Sequence, residues 1–157
     1  MRPDRNECLI IGVGTEYGDD AFGLLVAREI ALRSGENVTV IEQTGEGASL
    51  MESWQGYDNV IVIDCCTSNS DVGTRFRFDI SQEKIPTKLF HYSTHAFGVA
   101  EAIETARALD RLPKRMIVLG VEGEKFEPGQ PLNPFLELMV TEVADAVLAE
   151  LRALLGQ

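Results

Sequence analysis

The segment Asn59-Val60-Ile61-Val62-Ile63-Asp64 constrains the fold more than any other stretch of the chain. Its four consecutive β-branched residues do not alternate between core and solvent. The strand they predict is therefore buried on both faces, as in a parallel sheet covered by helices on each side.

Strand-like and helix-like patterns alternate around it. Residues 8–12 read as a short buried strand. Over residues 20–33, Phe22, Leu25, Val26 and Ile30 recur at helical spacing, with Arg28, Glu29 and Arg33 mostly off that stripe, and Ser34-Gly35 ends the helix. Residues 38–42 form the second strand, and Gly45-Glu46-Gly47 turns into a short helix carrying Leu50, Met51 and Trp54. Beyond the turn formers of residues 67–73, Thr74-Arg75-Phe76-Arg77-Phe78-Asp79 alternates strictly, the pattern of a half-buried edge strand. Its short connection to the third strand makes it antiparallel, because a parallel crossover needs a dozen or more residues. Residues 81–92 read as an irregular connection. A helix is expected over 97–109 with Val99, Ile103, Ala106 and Leu109 on one face, then an inner strand over 116–121, a loop with three prolines, and a closing helix over 134–155. The pattern predicts one α/β domain over residues 1–157. It has three layers, α/β/α, around a mostly parallel twisted sheet of about five strands with one antiparallel edge strand.

Composition narrows the function. The 157 residues are enough for a single domain to bury roughly 70% of its unfolded surface. With 14 basic against 25 acidic side chains, net −11, the chain lacks the clustered Lys and Arg of a nucleic-acid surface. Such acidity serves solubility and is compatible with a basic or metal-bearing partner. No apolar run approaches the ~20 residues needed to span a bilayer. Met1-Arg2-Pro3-Asp4-Arg5 leads into a strand and not into a signal-peptide core. The expectation is a cytoplasmic monomer with no membrane contact.

Three carboxylate or imidazole side chains follow predicted strands: Asp20, Asp64 and His95. Strand ends on one edge of a parallel sheet converge in space, and two carboxylates with one imidazole suit a divalent metal with open coordination positions. Each residue also has an ordinary reading. Asp19 or Asp20 would cap the following helix, leaving the other free. Asp64 would bond backbone N–H groups in the turn at 67–71. His95 would be a satisfied polar residue, and His91 is the competing imidazole, farther from the helix start. Gly12-Val13-Gly14 followed by Gly18 suggests dinucleotide binding, but the spacing is one residue longer than the usual fingerprint. Asp19-Asp20 would also repel a pyrophosphate.

Cys8, Cys65 and Cys66 show no C-x-x-C spacing and write no disulfide or zinc framework. Cys8 is expected in the core. Cys65 and Cys66 should point to opposite faces of their strand, so at most one faces the site. With carboxylates nearby and no adjacent Lys or Arg, nothing favours a thiolate.

Several of these segments together resemble the hydrogenase maturation endopeptidases, which trim the C-terminus of the large subunit of nickel–iron hydrogenase. They are Gly12-Val13-Gly14 with Gly18-Asp19-Asp20-Ala21-Phe22-Gly23, Thr44-Gly45-Glu46-Gly47, Val62-Ile63-Asp64-Cys65, Ser93-Thr94-His95-Ala96-Phe97-Gly98, and Gly120-Val121-Glu122 with Phe126, Gly129 and Leu132. The resemblance spans nearly the whole chain. It implies nickel ligation by Asp20, Asp64 and His95, with the nickel supplied by the hydrogenase large-subunit precursor and not held as a resident ion, and with no nucleotide. Thr15 stands where asparagine is usual, Ala21 where glycine is common, and Cys66 where an aliphatic or small residue is more usual. The loop before Asp19-Asp20 is one residue short, so Asp19, and more remotely Glu16, remain alternative first ligands. The implied chemistry is hydrolysis of one peptide bond placed by nickel. Its water is activated by the metal or by a carboxylate base. No G-x-S-x-G elbow or Cys–His pair marks a covalent nucleophile. A nickel-sensing checkpoint protein that does not cleave is the alternative from another class.

Overall fold

The computed structural model of the protein describes residues 7–86 and 98–156. Five strands form one sheet: β1 (Cys8–Val13), β2 (Val38–Gln43), β3 (Asn59–Cys66), β4 (Arg75–Asp79) and β5 (Arg115–Glu122), in the spatial order β2-β1-β3-β5-β4. The pairs β1–β2, β1–β3 and β3–β5 are parallel, and β4–β5 is antiparallel. Among the described residues, four helices cover the sheet: α1 (Phe22–Arg33), α2 (Gly47–Ser53), α3 (Val99–Ala108) and α4 (Pro134–Leu154).

The doubly buried strand appears as expected. Every residue of β3 is buried, and its side chains divide by parity between two cores. Ile61, Ile63 and Cys65 join Cys8 and Ile10 of β1 and Ile117, Leu119 and Val121 of β5 beneath α1 and α4. Val60, Val62 and Cys66 join Leu9, Ile11, Met116 and Val118 on the other face, with Leu50 of α2, Trp54 at its C-cap, and Val99 and Ile103 of α3. The mean period of two thus sorts consecutive apolar residues onto opposite faces, and each face has its own helix pair.

The edge strand runs antiparallel, as its short connection requires, but its neighbour is β5 and not β3. β3 is apolar on both faces and takes a parallel partner on each side. β5 fills the place beside it through an eight-residue register from Asn59↔Arg115 to Cys66↔Glu122. The half-buried β4 is left at the rim, where Phe76 and Phe78 pack inward while Arg75 and Arg77 pair with Glu142 and Glu150 of α4.

Two helix expectations shift. The chain takes a short 3-10 turn over Gly18–Ala21 before α1 begins at Phe22. Leu109 lies past the end of α3 and is exposed. Helix α1 lies against the sheet at Gly23, where a Cβ would stand 2.4 Å from the carbonyl oxygen of Val13 and 2.8 Å from that of Ile63. Among the described residues, no helix is long and apolar enough to cross a membrane.

Candidate active site

The C-terminal ends of β1 and β3 bring Asp20 and Asp64 together. β1 ends at Val13, and the loop beyond it is so tight that a Cβ on Gly14 would stand 2.0 Å from the backbone oxygen of Asp20. The loop closes on itself. Thr15 N–H donates to the Asp20 carbonyl at 3.3 Å, and Thr15 Oγ1 donates to Asp20 Oδ2 at 2.7 Å. Asp64 sits two residues before the end of β3, in register with Gly120 of β5.

The electrostatics of the pair are unfavourable without a cation. Burial pushes the Asp64 carboxyl well above the usual carboxylate range, the charge of Asp20 pushes it further, and a hydrogen bond from the Cys65 backbone only partly opposes this. Burial also raises Asp20, against the two hydrogen bonds from Thr15. Two carboxylates each raised by burial, one of them further by the other's charge, form a site that a divalent cation would relieve. The donor set fits such an ion.

The structure separates Asp19 from Asp20. Asp19 is fully buried, and its carboxylate accepts backbone N–H bonds from Glu124 at 2.7 Å, Lys125 at 3.0 Å and Asn133 at 2.8 Å. Its own N–H donates to the Lys125 carbonyl at 2.7 Å. Asp19 therefore ties the loop after β5 to the turn that carries Asp20. Its oxygens are committed there, and neither aspartate caps the 3-10 turn or α1 with its side chain. The capping expectation fails because the donors come from across the fold. Glu16 is equally engaged, in an exposed ion pair with Arg28 at 2.9 Å, and Arg28 also holds Glu42.

The turn at 67–71 is held by another carboxylate. Glu122, at the end of β5 and only 2% exposed, accepts the Ser68 N–H at 2.7 Å and the Ser68 hydroxyl at 2.8 Å, and lies 3.8 Å from the Cys66 thiol. Asp64 is thus released from the backbone role that its position suggested. In the sequence Glu122 carries one signal of this role, a charge that closes the apolar run at 116–121.

His95 and His91 lie outside the described residues. Among the described residues, no three His, Cys, Asp or Glu side chains form a metal-holding group. The cysteines behave as expected. Cys65 and Cys66 enter opposite cores, and burial, followed by the carboxylates beside them, raises both thiols. Burial pushes Cys8 up to about 12. None is prepared as a thiolate.

The family model HycI, described as hydrogenase maturation protease, matches residues 25–150. The chain belongs to the hydrogenase maturation protease family. Its members include the hydrogenase 2 maturation protease of Escherichia coli K12, to which the chain is 26% identical over 148 residues, covering 92% of this chain and 90% of that one. The hydrogenase expression/formation protein HupD of Bradyrhizobium diazoefficiens is 28% identical over 154 residues, covering 92% and 79%. Among solved structures, the hydrogenase maturating endopeptidase HybD from E. coli shares the fold with a TM-score of 0.74 at 23% identity, over 94% of this chain and 93% of that one. The [NiFe] hydrogenase maturation protease HycI from Thermococcus kodakarensis KOD1 does so at 0.68 and 19% identity, over 93% and 92%. A hydrogenase maturation protease is a peptidase, and the five-stranded mixed sheet found here is the fold of those solved endopeptidases.

Proposed function

We propose that this chain is the endopeptidase that removes the C-terminal extension of a nickel–iron hydrogenase large-subunit precursor once nickel has been inserted. Asp20, Asp64 and His95 receive the precursor's own nickel. The observation that carries the reading is the Asp20–Asp64 pair, two desolvated carboxylates brought from separate strand ends, each made less stable as an anion by burial. A cation delivered by the substrate relieves that cost only when the correct precursor is docked. Recognition of the metal and placement of the scissile bond then become one event, and placement of this kind supplies a large share of a hydrolytic barrier.

Hydrolysis forms a carbon–oxygen bond from water and breaks the carbon–nitrogen bond, with the water's proton passing to the leaving amine. A carboxylate of the site can take the water's proton as general base. Nickel, when bound, supplies Lewis-acid polarisation at the same place.

The test incubates the purified protein with nickel-loaded and nickel-free large-subunit precursor and follows truncation by mass spectrometry. Cleavage of the loaded form alone supports the reading. A loaded precursor that co-purifies with the protein and stays uncut would assign it instead to a nickel-sensing checkpoint.

A further inference from the structure

The oxygens of Asp20 are not equivalent. Asp20 Oδ2 accepts the Thr15 hydroxyl at 2.7 Å. The Tyr17 N–H donates to Thr15 Oγ1 at 3.4 Å, and because an ionised carboxylate can only accept, the hydroxyl proton points at Asp20. The backbone closes the same ring: Thr15 N–H donates to the Asp20 carbonyl at 3.3 Å, and Asp20 N–H donates to the Tyr17 carbonyl at 3.1 Å. A carboxylate held in this way has its orientation set, because turning it would break the bond from its hydroxyl donor.

We infer that Thr15 is a positioning residue that holds the Asp20 carboxylate in one orientation for the precursor's nickel, through the hydroxyl donated to Oδ2. The inference rests on the nickel-binding reading of Asp20 and adds the group that sets its orientation. Groups that orient a ligand in this manner contribute about 10- to 100-fold in metal affinity. The hydroxyl is the active part of the side chain. A residue of the same shape without it should fail, and a smaller residue that keeps it should succeed.

The experiment titrates Ni(II) alone into the purified protein by calorimetry, comparing wild type with Thr15→Val, Thr15→Ser and Asp20→Ala, while thermal unfolding checks each fold. Thr15 is only partly buried, so all four proteins are expected to fold. The expected result is a loss of about 10-fold or more in affinity for Thr15→Val, near-wild-type affinity for Thr15→Ser, and loss of binding for Asp20→Ala. Thr15→Val binding as tightly as wild type while Asp20→Ala is impaired would overturn the positioning role and leave the nickel reading standing. Equal loss in Thr15→Ser and Thr15→Val would also overturn it, because the hydroxyl would not be what matters. Unchanged binding in Asp20→Ala, or none in wild type, would remove the nickel reading of Asp20 and this inference with it.

Discussion

Asp20 raises the proton affinity of Asp64 across the gap between the β1 loop and the end of β3. Burial is the larger cause, but the charge of Asp20 links two residues 44 positions apart (64 − 20) into one electrostatic unit. The consequences of that linkage are measurable.

Asp64→Asn should abolish precursor cleavage and yet stabilise the nickel-free protein. The folded pKa of Asp64 lies above its ordinary value of 3.8. Its ionised form therefore costs stability at neutral pH, and the cost fades as pH falls through the folded value toward 3.8. Removing that charge should therefore raise stability at pH 7. Urea unfolding at pH 7 and pH 5 should show the gain shrinking at the lower pH. Equal stability of variant and wild type at both values would contradict the assignment.

His95→Ala should leave the fold intact and stop cleavage of a nickel-loaded precursor. The comparison is a circular dichroism spectrum beside a gel-shift cleavage assay, and normal truncation would remove His95 from the site.

Asp19→Asn should damage stability first. An asparagine side chain turns one acceptor oxygen into a donor facing backbone N–H groups, and leaving buried donors unpaired costs about 1–3 kcal/mol. Hydrogen exchange should speed up at the amides of Glu124, Lys125 and Asn133 specifically. Unchanged exchange there would mean the clamp is not formed in solution.

Cys66→Ala should cleave the precursor at close to the wild-type rate, and pretreatment with a thiol alkylating agent should not inhibit. The thiol is buried and raised by burial and by Glu122, so it is a poor nucleophile. Loss of cleavage in the alanine variant would reopen a covalent route.

What the sequence disclosed and what it hid divide along a physical line. The run at 60–63 announced a doubly covered strand because apolar continuity is a local property. The strict alternation at 74–79 announced an edge for the same reason. That β5 would slip between β3 and β4 was not written locally, since it depends on which strand best fills a two-sided apolar slot. Asp19 and Asp20 look alike in sequence. Only partners more than a hundred residues downstream separate the anchoring carboxylate from the one left facing Asp64. Glu122 was hidden likewise, its role set by Ser68 on a neighbouring strand's turn.

The missing side chain at position 23 fixes the aperture of the site. Because α1 rests directly on the carbonyls of Val13 and Ile63, it draws inward the two strand tips from which the Asp20 loop and Asp64 emerge. A single methyl there would act as a shim. It would press on both carbonyls and force those tips to give way, so the spacing of the two carboxylates depends on an atom the protein does without.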